Sequence, residues 1–157
     1  MEINTRGRYA VMAMADLSRH GAARAVALSE IAERQGLSEA YLSQIFVQLR
    51  QAGLVNSIRG RSGGYQLARP AKDIMVADVM AAVEESTYMT RCMIDSKIGC
   101  INEKRCLTHG LWAALSRHIE TFLANVSLHD VVENGPKLRT PVPPFAEWPK
   151  DGEIAAK

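Results

Sequence analysis

The residues best suited to chemistry are three cysteines and a histidine. Cys92, Cys100 and Cys106 are the chain's three cysteines, and His109 follows the last by three positions. Seven residues separate the first pair and five the second. Thiolates and imidazole are donors for soft and borderline metals, so this set could hold tetrahedral zinc or an iron–sulfur cluster. Structural zinc sites usually contain a tight Cys-x-x-Cys pair, which is missing here. The wider gaps suit a cluster, whose two irons spread their ligands apart. An odd, clustered set of cysteines also argues against a disulfide framework. A helix beginning near Cys106 would put Cys106 and His109 on one face of its first turn, where the helix N-terminus favours thiolate. His118 and His129 read instead as helix-surface residues.

A second set of residues is polar and basic. Ser43, Gln44 and Gln48 can hydrogen-bond base edges, and glutamine pairs well with adenine. Arg59 and Arg61 flank Gly60 in a glycine-rich stretch, and arginine suits phosphate contact and insertion into a narrow minor groove. With Ser38, Ala40 and Tyr41, which precede Ser43 on the same predicted helix, these residues form a candidate contact to double-stranded DNA. No nucleotide-binding glycine motif and no nucleophile–base arrangement points to an enzyme.

These side chains need elements to carry them. Residues 5–19 read as an alanine-rich helix, with Tyr9, Met12, Ala13 and Leu17 on one face and Asp16 as a polar intrusion. A short helix over 29–35, capped by Ser29, ends at Gly36 as a left-handed stop. Ser38 caps a third helix running to Ala52, whose apolar stripe is Leu42, Ile45, Phe46 and Leu49. Short helix, tight turn and longer helix make a helix-turn-helix, whose second helix enters the major groove. Residues 54–59 and 65–69 then read as two strands around the Arg59–Gly60–Arg61 loop. Pro70 ends the second strand. A helix follows over 75–85. From about 107 to 125 a long amphipathic helix of roughly 28 Å carries Leu111, Trp112, Leu115, Ile119, Phe122 and Leu123. Ser127 caps a short final helix, with Asp130 three residues on. The fold class expected is mainly α, a winged helix-turn-helix with a small two-stranded β wing and a long C-terminal helix.

Bulk properties agree with a globular protein. The chain has 157 residues, 47% of them hydrophobic and 23% charged. No apolar run is long enough to cross a bilayer, and the first residues hold no signal-peptide pattern, so no membrane and a cytoplasmic location are expected. Residues 1–70 contain nine Lys/Arg against five Asp/Glu, whereas 71–157 contain ten against twelve. A basic first half is compatible with a phosphate backbone as partner. Residues 135–157 hold five of the six prolines and read as a disordered tail.

Several stretches resemble the Rrf-type winged-helix regulators. They are Gly7-Arg8-Tyr9-Ala10-Val11, Ile31 to Gly36, Tyr41-Leu42 with Leu49-Arg50, and the wing from Val55 to Tyr65. Cys106-Leu107-Thr108-His109, with the two upstream cysteines and Leu111-Trp112, is similar to the iron–sulfur cluster regulators of that family. The resemblance implies a homodimer, with the long C-terminal helix as its dimerisation helix. It implies a 2Fe–2S cluster ligated by Cys92, Cys100, Cys106 and His109, and control of iron–sulfur cluster assembly genes. The division that follows is 1–85 for DNA, 86–106 as cluster-binding loop, 107–134 for dimerisation and the short terminal helix, and 135–157 as tail. Rival readings are a nitric-oxide-sensing cluster repressor and a regulator with a structural zinc.

Overall fold

A computed structural model describes residues 5–60, 62–84 and 107–133 of the chain. Cys92, Cys100, Cys106 and Arg61 lie outside the described residues. So do the expected cluster loop over 86–106 and the expected tail.

The described chain runs through helix α1 (Thr5–His20), α2 (Leu28–Gln35) and α3 (Glu39–Gln51) to strands β1 (Val55–Ile58) and β2 (Gly64–Leu67). A single 3-10 turn, Ala71–Asp73, leads to α4 (Val76–Ala82), and α5 (His109–Ala124) and α6 (Leu128–Val132) follow. The strands form an antiparallel hairpin in which Val55 faces Leu67 and Ile58 faces Gly64. This is the expected winged helix-turn-helix, with α2 and α3 as the motif and β1–β2 as the wing.

One core holds the helices and the wing together. It gathers Ala10, Ala13, Met14 and Leu17 of α1 and Ile31 of α2 with Leu42, Ile45, Phe46 and Leu49 of α3. Val55, Ile74, Val79 and Leu128 complete it from later elements. Each large apolar side chain withdrawn from water contributes about 1.5–3 kcal/mol, so this group dominates the stability. The α3 stripe falls where its spacing predicts. The α1 face is rotated: Ala10 and Met14 point inward, while Tyr9 and Met12 are half-buried. The reason is that α1 is surrounded, touching α2, α3, α4, α6 and β2. Its small residues Gly7, Ala10 and Ala13 are all buried at these close approaches.

Helix ends differ from expectation at α2 and α4, and α5 begins at His109 rather than 107. Helix α2 begins one residue before Ser29, and Ala27 takes the cap position. Alanine has no capping oxygen, so the Glu30 carboxylate accepts from the Ala27 N–H at 3.3 Å and supplies half of a capping box. Helix α4 stops at Ala82 rather than 85. The Val83 and Glu84 amides bond back to Met80 and Ala81, tightening the last turn, and Glu84 takes a left-handed φ of 56°.

The C-terminal elements are stitched to the front of the fold. The Val76 amide donates to the Val126 carbonyl at 2.8 Å, and the Leu128 amide to the Ile74 carbonyl at 2.9 Å. Phe122 and Leu123 of α5 pack on Val76 and Met80 of α4. Among the described residues, no helix is long and apolar enough to cross a membrane.

Candidate functional site

The turn between α2 and α3 is built from backbone bonds. Gly36 sits at φ 64° and ψ 36°, the left-handed geometry that lets a helix stop abruptly. The Leu37 amide reaches back to the Ala32 carbonyl at 2.9 Å, and the Gly36 amide to Glu33 at 3.4 Å. Leu37 then packs against the core, which fixes the angle at which α3 departs. Ser38 occupies the cap position of α3, but its hydroxyl makes no capping hydrogen bond. It stands exposed at the start of the helix.

Ion pairing orients α2. Asp16 is buried on α1, its side chain only 2% exposed. Arg34 donates to both its oxygens, from Nη2 to Oδ1 at 2.7 Å and from Nε to Oδ2 at 3.1 Å. Gln35 adds a bond to Oδ2 at 2.8 Å. Burial alone would raise the Asp16 pKa. The hydrogen bonds from Arg34 and Gln35, helped by the charges of Arg34 and His20, reverse that and hold the carboxyl below its ordinary value. On the outer side Arg24 grips Glu30 with bonds of 2.9 and 2.6 Å. The Glu30 pKa is lowered to about 2, first by Arg24 and then by the Ala27 amide. Arg24 and Arg34 therefore each have a carboxylate partner within the chain.

Helix α3 turns the opposite side outward. Ala40, Ser43, Gln44 and Val47 are exposed, and Tyr41 and Gln48 are half-buried. A cleft of about 330 Å³ runs along this face, lined by Arg6, Tyr41, Gln44, Ile45, Val47 and Gln48. Tyr41 meets Tyr9 of α1 edge to face at 6.1 Å, and the Arg8 guanidinium lies 5.2 Å from the Tyr9 ring centre. This bracing fixes α3 against the start of α1.

The wing is held in the same frame. Val26, between α1 and α2, exchanges two backbone bonds with Tyr65 at 2.9 and 2.8 Å. The Tyr65 ring meets Phe46 of α3 edge to face at 4.7 Å. Arg59 and Gly60 are exposed at the hairpin tip, closed by a Gly63 amide bond to the Gly60 carbonyl at 2.9 Å. Helix α3 and the wing are thus tied to the same support.

The sequence reading did not single out Arg6 or Arg8 on this face. Periodicity describes each helix separately, so it cannot join residue 6 to residue 44. One local signal does exist. The first turn of α1 contains no acidic residue and carries Arg6 instead, against the preference of a helix N-terminus for negative charge.

The second candidate site is described only in part. His109 opens α5, is 4% exposed, and has its Nε2 atom withdrawn from solvent. Thr108 takes the cap position of α5 without a side-chain capping hydrogen bond, so the helix starts at His109 rather than near Cys106 as expected, and the first turn is not shared with Cys106; Leu107 beside it is fully exposed. Among the described residues no cluster of three His, Cys, Asp or Glu could hold a metal ion. A buried imidazole three positions after Cys106 fits a donor set of three thiolates and one nitrogen. His118 and His129 are exposed, as surface residues should be.

Residues 3–134 match the Rrf2 family model, described as an iron-dependent transcriptional regulator. The HTH-type transcriptional regulator IscR of Xenorhabdus nematophila is 49% identical over 134 residues, covering 85% of this chain and 80% of its own. The solved structure of T. potens IscR matches at a TM-score of 0.71 and 36% identity, covering 90% of this chain and 93% of that one. CymR, the global cysteine regulator of B. subtilis, matches at a TM-score of 0.72 and 29% identity, covering 85% and 97%.

Proposed function

The chain belongs to the Rrf2 family of iron-dependent transcriptional regulators, and we propose that it binds its DNA as a cytoplasmic homodimer and senses iron–sulfur cluster status through a 2Fe–2S cluster. The genes it controls in this reading are those of iron–sulfur cluster assembly. Its relatives are named transcription regulators, and it is a regulator rather than an enzyme. The observation that carries the reading is the outward polar face of α3, with Gln44 and Gln48 along it, in one rigid frame with the Arg59 wing.

In this reading Ser43, Gln44 and Gln48 meet base edges in the major groove. Ser38, Ala40 and Tyr41 flank them at the start of the helix. Arg59, Gly60 and Arg61 reach the backbone or the minor groove. Cys92, Cys100, Cys106 and His109 would hold the cluster, with residues 86–106 as its loop. When bound, the cluster supplies an occupancy that depends on iron supply and on oxidation. The chain then has a contiguous route from that site to the DNA face. His109 opens α5, α5 packs on Val76 and Met80 of α4, and α4 lies against α1 and α3. Regulation requires the two cluster states to differ in DNA affinity, by about 1.4 kcal/mol for each tenfold change.

The test is oxygen-free purification of wild type and Cys92→Ala, each followed by visible spectroscopy and duplex binding. A brown wild-type protein, a colourless variant and different DNA affinities are expected. A colourless, zinc-loaded wild type would establish the zinc alternative, and release from DNA by low equivalents of nitric oxide alone the nitric-oxide alternative. Arg59→Ala should abolish the footprint without changing colour.

A further inference from the structure

We infer that Arg6, in the first turn of α1, is a backbone-phosphate contact that sets the register of α3 on duplex DNA. The inference rests on the DNA-binding reading above and deepens it, because it assigns a contact to a helix outside the helix-turn-helix.

The cleft on the recognition face is composite. Tyr41, Gln44, Ile45, Val47 and Gln48 come from α3, and Arg6 comes from α1. Its polar α3 residues include the two glutamines that suit base edges, so a strand read by Gln44 or Gln48 passes beside Arg6. Arg6 is an exposed residue on that wall, and the planar fork of a guanidinium matches phosphate oxygens. Position matters as much as charge. The Tyr9–Tyr41 edge contact and the buried face of α1 brace the helix that carries Arg6 against the helix that carries Gln44. A phosphate fixed by Arg6 therefore fixes which base step lies under Gln44. Phosphate contacts of this kind position a protein and carry no sequence information themselves.

The experiment uses the full-length protein and two probes. One is a duplex selected by wild type from a random pool, and the other is a scrambled duplex of equal length. Affinities are measured across a salt series for wild type, Arg6→Gln and Arg6→Lys, with melting temperatures as folding controls. Arg6→Gln should weaken binding to both duplexes by a similar factor, roughly tenfold, and reduce the slope of log affinity against log salt by about 0.9. Arg6→Lys keeps the charge and should retain the slope even if Arg6→Gln melts early. An unchanged slope in Arg6→Gln, or a loss confined to the selected duplex, overturns the phosphate contact while leaving DNA binding intact. A random pool from which wild type enriches no duplex overturns the DNA-binding reading and the contact together.

Discussion

Asp16 shows how one residue can support a function that it does not perform. It is a buried carboxylate on α1, and it holds α2 through Arg34 and Gln35. Removing Arg34 would leave that charge buried with only Gln35, and breaking such a pair costs about 3 kcal/mol. Arg34→Ala should therefore lower the urea midpoint at neutral pH. The sign with pH follows from the lowered pKa of Asp16. Its contribution is fully present above the unfolded value near pH 4 and disappears as the pH falls through the lower folded value. The same holds for Glu30, whose contribution is lost between its ordinary 4.5 and about 2. The difference between wild type and Arg34→Ala should shrink as acid is added. Denaturation curves that stay equally far apart in acid would refute the ion-pair account.

At the scale of elements, the wing depends on a residue without a side chain. A Cβ on Gly64 would collide with the Val26 carbonyl and lie 2.9 Å from the Ala27 nitrogen. These are backbone atoms in the short segment that bridges to Tyr65, so they cannot rotate away. Gly64→Ala should separate the wing from the bridge and, through Tyr65, loosen its contact with Phe46. Overpacking of this kind costs about 1–3 kcal/mol. The expected readout is a lower melting temperature together with weaker duplex binding. Normal DNA affinity in this variant would show that the bridge does not orient the wing. Glycine at this point was legible as part of a loop. Its role in a third backbone pairing was not, because Val26 lies 38 positions away in the chain.

At the scale of the whole molecule, α5 is a described element with apolar surface left uncovered. Its buried positions are His109, Ala113 and Ser116, all polar or small. Leu111 is 39% exposed, and Leu115 and Ile119 are half-buried, so a large apolar stripe remains partly in water. The proposed dimer would cover that stripe. Sedimentation of Leu111→Glu/Leu115→Glu should give the monomer mass with the melting of the winged-helix core retained. DNA binding should weaken, because paired half-sites need paired helices. A double variant that still sediments as a dimer would move the interface elsewhere.

Elements and family were readable from the residues in order. Helix period located α3 and its buried stripe, Gly36 marked the turn, and the Ser127–Asp130 pair forms a reciprocal cap with an amide bond of 3.2 Å. The cysteine spacing and Cys106-Leu107-Thr108-His109 pointed to a metal-responsive regulator without any coordinates. Such signals are local, arising from side chains a few positions apart on one element. Tertiary structure alone decided which face of α1 is buried, that Asp16 is half of an ion pair, and that Arg6 shares a cleft with Gln44. Each of these depends on contacts between segments distant in sequence, where burial and charge are set by what the fold brings alongside. No period or motif within a single segment encodes that neighbour.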